Sequence, residues 1–185
     1  MSIQHSFHFI FTRLVLLPFI FFPLQQTAIA ADTLEKSGDA LLLLLPAIAY
    51  GSTFYANDAK GRTQFYKAAA TNLIITQGLK YATNKERPNK EDNLSFPSGH
   101  SSVTFQAASF IHKRYGTKYA LPAYMAATLV GYSRVKADKH YTEDVLAGAA
   151  LGIMSSFYFT KPYKSFTLKP IVDKDTYGLS ISKQW

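Results

Sequence analysis

Two of the five histidines in this 185-residue chain sit among residues suited to phosphoryl chemistry. His140 precedes Asp144 by four positions, so on a helix the two side chains share a face and can hydrogen-bond. A carboxylate on one imidazole nitrogen fixes the tautomer and leaves the other nitrogen basic and exposed, as a nucleophile requires. His100 follows Pro97-Ser98-Gly99, where extended chain is expected to turn into a helix. Free N–H groups at a helix start favour an anion, and glycine lets the backbone come close to it. Lys80, Arg87 and Arg134 add three cations, each near the expected end of an element. Singly, each feature has an ordinary explanation: a surface His–Asp pair, a helix cap, a cation at a helix carboxy terminus. Those explanations account poorly for the whole ordered set. The chain has no Cys, which excludes disulfides, thiolate metal sites and cysteine nucleophiles.

Five helical segments are expected to position these residues. They run from about Ala40 to Ala56, with a bend at Pro46, then from about Thr63 to Thr83. The third starts at Ser98-Gly99-His100 and ends near Tyr115, before Gly116. The fourth covers about Lys118 to Ser133, and the fifth about Tyr141 to Tyr158. Gly148 and Gly152 in the fifth form a small-xxx-small pair that permits close approach of a neighbouring helix. Ser165 to Val172 and Thr176 to Lys183 are rich in β-formers and are separated by Asp173-Lys174-Asp175, as in a hairpin. The expected fold class is all-α, a compact bundle of five to six helices with a small carboxy-terminal β-hairpin. An antiparallel bundle brings the chemistry-bearing helix ends together on one side.

The first thirty residues read as a separate unit. Arg13, the apolar run Leu14 to Leu24 and the small-x-small site Ala28-Ile29-Ala30 describe a secretory signal peptide. The alternative is an uncleaved membrane anchor. Residues 31–164 then form the helical domain and 165–185 the hairpin tail. Apolar residues make up 48% and charged residues 17% of the chain, which excludes intrinsic disorder. A net charge of +8 on an exported protein points to anionic lipid surfaces or phosphorylated small molecules, and away from nucleic acid.

The order Lys80-(six residues)-Arg87-Pro88, Pro97-Ser98-Gly99-His100 and Ser133-Arg134-(five residues)-His140-(three residues)-Asp144 resembles the three-part signature of the type 2 phosphatidic acid phosphatase superfamily. Bacterial acid phosphatases, lipid-phosphate phosphatases and vanadium haloperoxidases belong to it. The flanks Ser95-Phe96 and Asp144-Val145-Leu146-Ala147-Gly148 are similar too. The resemblance implies that His140 attacks phosphorus and forms a phosphohistidine, with Asp144 orienting it. It implies that His100 protonates the leaving oxygen and then activates water. Lys80, Arg87, Ser98, Gly99 and Arg134 would hold the non-bridging oxygens, with no metal and no cofactor. The loop before the nucleophile, with Lys136, Asp138 and Lys139, is more charged than in lipid-handling members of the family.

Mean hydropathy is −0.03, low for a protein made mainly of membrane spans. Lys67, Asn72 and Gln77 in the second segment, and Ser101, Ser102, Thr104 and Gln106 in the third, argue the same way. The expectation is an exported enzyme of the cell envelope, in the periplasm or facing it, touching membrane. The alternative is an integral inner-membrane protein with an outward-facing site. The expected function is metal-independent hydrolysis of phosphate monoesters or pyrophosphates, lipid phosphates among them, through phosphohistidine. The alternatives are a phosphotransferase with an alcohol acceptor and a non-catalytic envelope protein on the same scaffold.

Overall fold

The computed structural model describes the backbone of residues 18–163, 166–173 and 176–183, and side chains over residues 32–163. Its body is five helices: α1 (Pro18–Tyr55), α2 (Ala59–Thr83), α3 (Gly99–Tyr115), α4 (Thr117–Lys136) and α5 (Thr142–Phe159). Four of the five expected segments agree with these to within a few residues. The first does not: α1 begins far upstream of Ala40 and runs on without a break through Pro46. Side chains of the expected signal segment lie outside the described residues. The two carboxy-terminal segments, Phe166–Asp173 and Thr176–Lys183, have paired antiparallel backbone. Their side chains also lie outside the described residues, and the established architecture is the five-helix body alone.

The helix ends follow from local chemistry. Asp58 caps α2 by accepting a 2.8 Å hydrogen bond from the Gly61 N–H, and Asn84 closes that helix in the left-handed conformation at φ 45°. Ser98 caps α3. Gly116, at φ 103°, ends α3 and opens α4, a backbone state glycine adopts without a Cβ penalty. At α5 the Asp144 carboxylate accepts from the Tyr141 N–H at 3.0 Å.

Helix α3 is the axis of the molecule and touches each of the other four. Around it α1 neighbours α4 and α2, and α5 neighbours α2 and α4. The core is built mostly of small residues and rings, among them Ala49, Ala107, Ala108, Ala120, Ala127, Phe65 and Phe110. A Cβ on Gly148 would stand 2.3 Å from the Ser98 carbonyl oxygen, and one on Gly152 would stand 2.2 Å from that of Ser102. The expected close approach is thus realised, and α3 is the partner. Polar side chains line the contacts of α3 with α2 and α5: Asn72 Nδ2 and Thr76 Oγ1 of α2 donate to Ser102 Oγ at 3.4 and 3.2 Å, and Ser156 Oγ of α5 donates to the Gln106 carbonyl at 2.6 Å.

Candidate active site

Because the helices alternate in direction, the amino ends of α3 and α5 meet the carboxy ends of α2 and α4. The segments 84–98 and 137–141 cross the same end, and a cavity of about 280 Å³ opens between them. Lys80, Arg87, Gly99, His100, Arg134 and His140 all line it. Ser98 is fully buried at the α3 cap and its hydroxyl faces the Ser101 N–H and hydroxyl. Its own N–H donates to the Asp144 carbonyl at 2.9 Å, joining the start of α3 to the start of α5. Asp144 is fully buried beside this junction.

His140 is 3% exposed. Its Nε2 lies 3.2 Å from Arg87 Nη1. A guanidinium can only donate, so Nε2 carries the lone pair and the proton is on Nδ1. Burial, then Arg87 and Lys80, push the His140 pKa down to about 3, against the opposing pull of the Ser95 main chain and Asp144. The imidazole is therefore neutral at physiological pH, with its basic nitrogen among the cations.

The expected His140–Asp144 hydrogen bond is not formed. Nδ1 lies 3.9 Å from Asp144 Oδ2, because His140 stands outside α5 and the helical four-residue spacing does not apply. The carboxylate is used elsewhere: Lys85 Nζ at 2.7 Å, Ser95 Oγ at 2.5 Å and the Tyr141 N–H. Burial alone would raise the Asp144 pKa, but these donors outweigh it and hold it below the usual carboxylate range. Asp144 thus acts on His140 as a fixed negative charge next to Nδ1–H, and ties the 84–98 segment to α5.

His100 faces α1. Its Nε2 lies 2.9 Å from Asp39 Oδ1, so that nitrogen carries a proton. Arg134 Nη1 donates to the same carboxylate oxygen at 2.9 Å, and Nη2 to the Glu35 carbonyl at 2.8 Å. Burial and Arg134 lower the His100 pKa while Asp39 raises it, and the balance lies below 6.5. Both imidazoles therefore titrate low, and His140 much the further.

Arg87 also pairs with Asp92 at 2.7 Å and donates to the Lys139 carbonyl at 3.0 Å. Lys139 in turn pairs with Glu91 at 2.7 Å. Sequence reasoning missed this ring of carboxylates, Glu35 and Asp39 above all, because the first helix was expected to begin only at Ala40. The one sequence signal was a pair of acids four residues apart ahead of an apolar run. Lys85 was missed because nothing in its spacing distinguishes it from a solvated lysine.

A five-helix bundle that gathers three cations, a buried helix amino terminus and two histidines into one cavity defines a phosphoryl-transfer scaffold. The PAP2 superfamily model matches residues 63–166, and the chain belongs to that superfamily. It is similar to "Lipid A 4'-phosphatase" of Helicobacter pylori, with 30% identity covering 89% of this chain and 92% of the relative. It is also similar to "Phosphatidylglycerophosphatase B" of Bacillus subtilis, 29% identical over 70% of this chain and 72% of that one. Among solved structures the bundle resembles that of Aquifex aeolicus LpxE, with a TM-score of 0.51 and 21% identity over 65% of this chain and 83% of that one.

Proposed function

We propose that the protein is a membrane-bound phosphatase that hydrolyses the phosphate monoester or pyrophosphate of an envelope lipid through a phosphohistidine. The observation that carries this reading is His140: a neutral imidazole whose unprotonated Nε2 opens into a cavity held by Lys80, Arg87 and Arg134. In the first step Nε2 attacks phosphorus and the bond from phosphorus to the lipid oxygen breaks. His100 passes its proton to that oxygen. Lys80, Arg87 and Arg134 meet the charge on the non-bridging oxygens, and the Ser98–Gly99 turn offers the start of α3 to them. Arg87 leaves the His140 lone pair as it takes a phosphoryl oxygen. In the second step water attacks phosphorus, gives its proton to His100, and the P–N bond breaks to restore neutral His140. The side-chain cations supply the charge that a metal ion supplies elsewhere, so none is needed. Names of the relatives, a lipid A phosphatase and a phosphatidylglycerophosphatase, support a lipid phosphate as substrate.

The surface supports the membrane part of the reading. Exposed Leu43, Leu44, Ile48, Leu73, Ile74, Ile75, Leu121, Met125, Leu129, Leu146 and Met154 form a belt around the outside of the bundle. Exposed tyrosines flank it: Tyr81, Tyr132 and Tyr141 on the site side, Tyr55, Tyr66, Tyr119 and Tyr158 on the other. Within one helix the two sets stand about 20–25 Å apart, and tyrosine favours the boundary between lipid and water. The site residues lie at the bundle end beyond the belt. Lys60, Lys67, Lys113, Lys118 and Lys161 gather at the opposite end, which supports a site facing away from the cytoplasm. Asp32–Tyr55 is, among the described residues, the stretch long and apolar enough to cross a membrane by its own composition.

The test is phosphate release by the wild type and His140→Ala in the presence of EDTA. The panel is an aryl phosphate, a phosphatidate, a phosphorylated glucosamine lipid and a polyprenyl pyrophosphate. Release by the wild type alone, with a lipid preferred, is the expected result. Equal release by both proteins removes His140 as nucleophile, and phosphorylated alcohol in place of free phosphate makes the protein a transferase.

A further inference from the structure

Asp39 lies outside the three signature segments, yet its carboxylate is in direct contact with His100. Helix α1 reaches the site because residue 38 is glycine: a Cβ there would stand 2.2 Å from Ser133 Oγ and 3.0 Å from Arg134 Nη2. With α1 seated so closely on α4, the next residue places one carboxylate oxygen 2.9 Å from His100 Nε2 and 2.9 Å from Arg134 Nη1. The other charged groups lining the cavity are four cations and the carboxylates Glu35, Glu91 and Asp92, the last two paired with Lys139 and Arg87. Arg134 comes from α4, Arg87 from the 84–98 segment and Lys80 from α2, and Lys139 lines the far wall beside neutral His140. Glu35 lies 4.0 Å from Arg134 and makes no hydrogen bond to His100. Asp39 is thus the one carboxylate, among the described residues, that bonds the imidazole.

We infer that Asp39 is a positioning residue that orients His100 and keeps a proton on it for delivery to the leaving oxygen. This rests on the phosphatase reading above. A proton donor amid three cations needs a nearby negative charge, since each cation disfavours the imidazolium. The bond to Asp39 also fixes the ring orientation and keeps Nε2 protonated. Burial and Arg134 already draw the His100 pKa below its ordinary value, and Asp39 is the main opposing influence.

Activity that needs protonated His100 falls as pH rises through the His100 midpoint. Removing the Asp39 charge lowers that midpoint, so the falling limb of the kcat profile moves to lower pH. An opposite charge at this distance is worth about one pH unit or more, so above both midpoints kcat of Asp39→Asn falls about tenfold. Asp39 is half-exposed, with 52% of its side chain accessible, and the substitution leaves the bundle core untouched.

The experiment uses the full chain in detergent or nanodiscs and makes two measurements. One is the pH profile of kcat on the preferred lipid phosphate. The other is the titration of the His100 ring C–H signals by NMR, assigned with His100→Gln. The proposal expects midpoint and limb to move down together in Asp39→Asn, to return in Asp39→Glu, and to move far less in Glu35→Gln. A His100 midpoint that stays in place in Asp39→Asn overturns it, as does a moved midpoint with an unmoved limb. It is also overturned if Asp39→Asn binds orthophosphate more tightly and turns over no more slowly, which makes Asp39 a competitor for the phosphoryl site. A wild type that releases no phosphate from any substrate sinks the phosphatase reading instead, and the NMR titration still decides whether Asp39 governs His100.

Discussion

His140 stands where a histidine is hardest to protonate, and this has a consequence for stability as well as for chemistry. An unfolded histidine titrates near 6.5, whereas the folded His140 titrates at about 3. Between those values the unfolded chain binds a proton that the native chain does not. Stability from this group is therefore complete above pH 6.5 and is lost as pH falls toward 3. The loss amounts to about 2 kcal/mol between pH 6.5 and pH 5. Thermal midpoints at about pH 7.5 and pH 5 are expected to differ more in the wild type than in His140→Gln, which keeps the volume and cannot titrate. An equal acid shift in both proteins would show that His140 is not held neutral. At this scale the sequence was informative about which side chains meet and less so about how. The two histidines, three cations and Asp144 all reach one end of the bundle, as their order implied. The helical spacing argument for a His140–Asp144 hydrogen bond failed because the chain between α4 and α5 turns before the helix begins at Thr142. Asp39 and Lys85 escaped because contacts across 61 and 59 residues of sequence leave no local pattern.

Helices α3 and α5 meet without side chains between them at Gly148 and Gly152, and this seam carries the site. A Cβ at Gly148 meets backbone, the Ser98 carbonyl and the Ser102 N–H, which cannot rotate out of the way. Gly148→Ala must push α5 away from the first turn of α3, the turn that holds Ser98, Gly99 and His100. The expected cost is about 1–3 kcal/mol in stability, with a fall in kcat/KM larger than the lost folded fraction explains. Gly152→Ala meets the Ser102 carbonyl and Gln106 N–H one turn further from the site. It is expected to destabilise similarly while the surviving folded protein keeps more of its activity. Gly78 in α2 has nothing within 4 Å of its Cβ position, so Gly78→Ala should stabilise by about 0.5–1 kcal/mol. Thermal midpoints and kinetics of the three variants separate close approach from simple helix propensity, and a neutral Gly148→Ala would contradict the seam. Helix α2, capped by Asp58, begins at Ala59, four residues ahead of the expected start at Thr63, but Ser98 and Gly116 bound α3 and α4 within a residue of expectation, so those positions were well marked in the sequence. The start of α1 was not, because residues 24–39 contain no glycine or proline before Gly38 and so nothing there signals an end.

Averaged over the whole molecule, hydropathy conceals how the residues are distributed. The polar positions that argued against a membrane protein, Asn72, Ser101, Ser102, Thr104 and Gln106, are all buried between helices. The outer faces carry leucine, isoleucine and methionine instead, with Met125 68% exposed and Ile74 73% exposed. A polar, small-residue interior brings the mean close to zero while the circumference stays apolar, the distribution that the proposed membrane reading requires, because helices in lipid associate by close packing and hydrogen bonds more than by burying apolar area. Three exposed polar positions resist this pattern, Lys67 and Gln77 on α2 and Thr128 on α4, and the Thr128 hydroxyl is satisfied within its own helix by donating to the Tyr124 carbonyl at 2.9 Å. Lys67 follows Tyr66, a tyrosine flanking the belt at the basic end, so its long side chain can extend to the water boundary. Met125 sits midway between Tyr119 and Tyr132 and makes the sharpest test. On a protein surface in water, replacing an exposed methionine by lysine changes stability by within about 0.5 kcal/mol. At the centre of a bilayer the same charge costs about 2.5–3.5 kcal/mol. Met125→Lys is therefore expected to lower the yield of membrane-extracted protein and its thermal midpoint in nanodiscs, while Lys118→Met, at the end of the same helix, changes both little. If Met125→Lys is as abundant and as stable as the wild type, and partitions into the soluble fraction with it, the apolar belt does not face lipid.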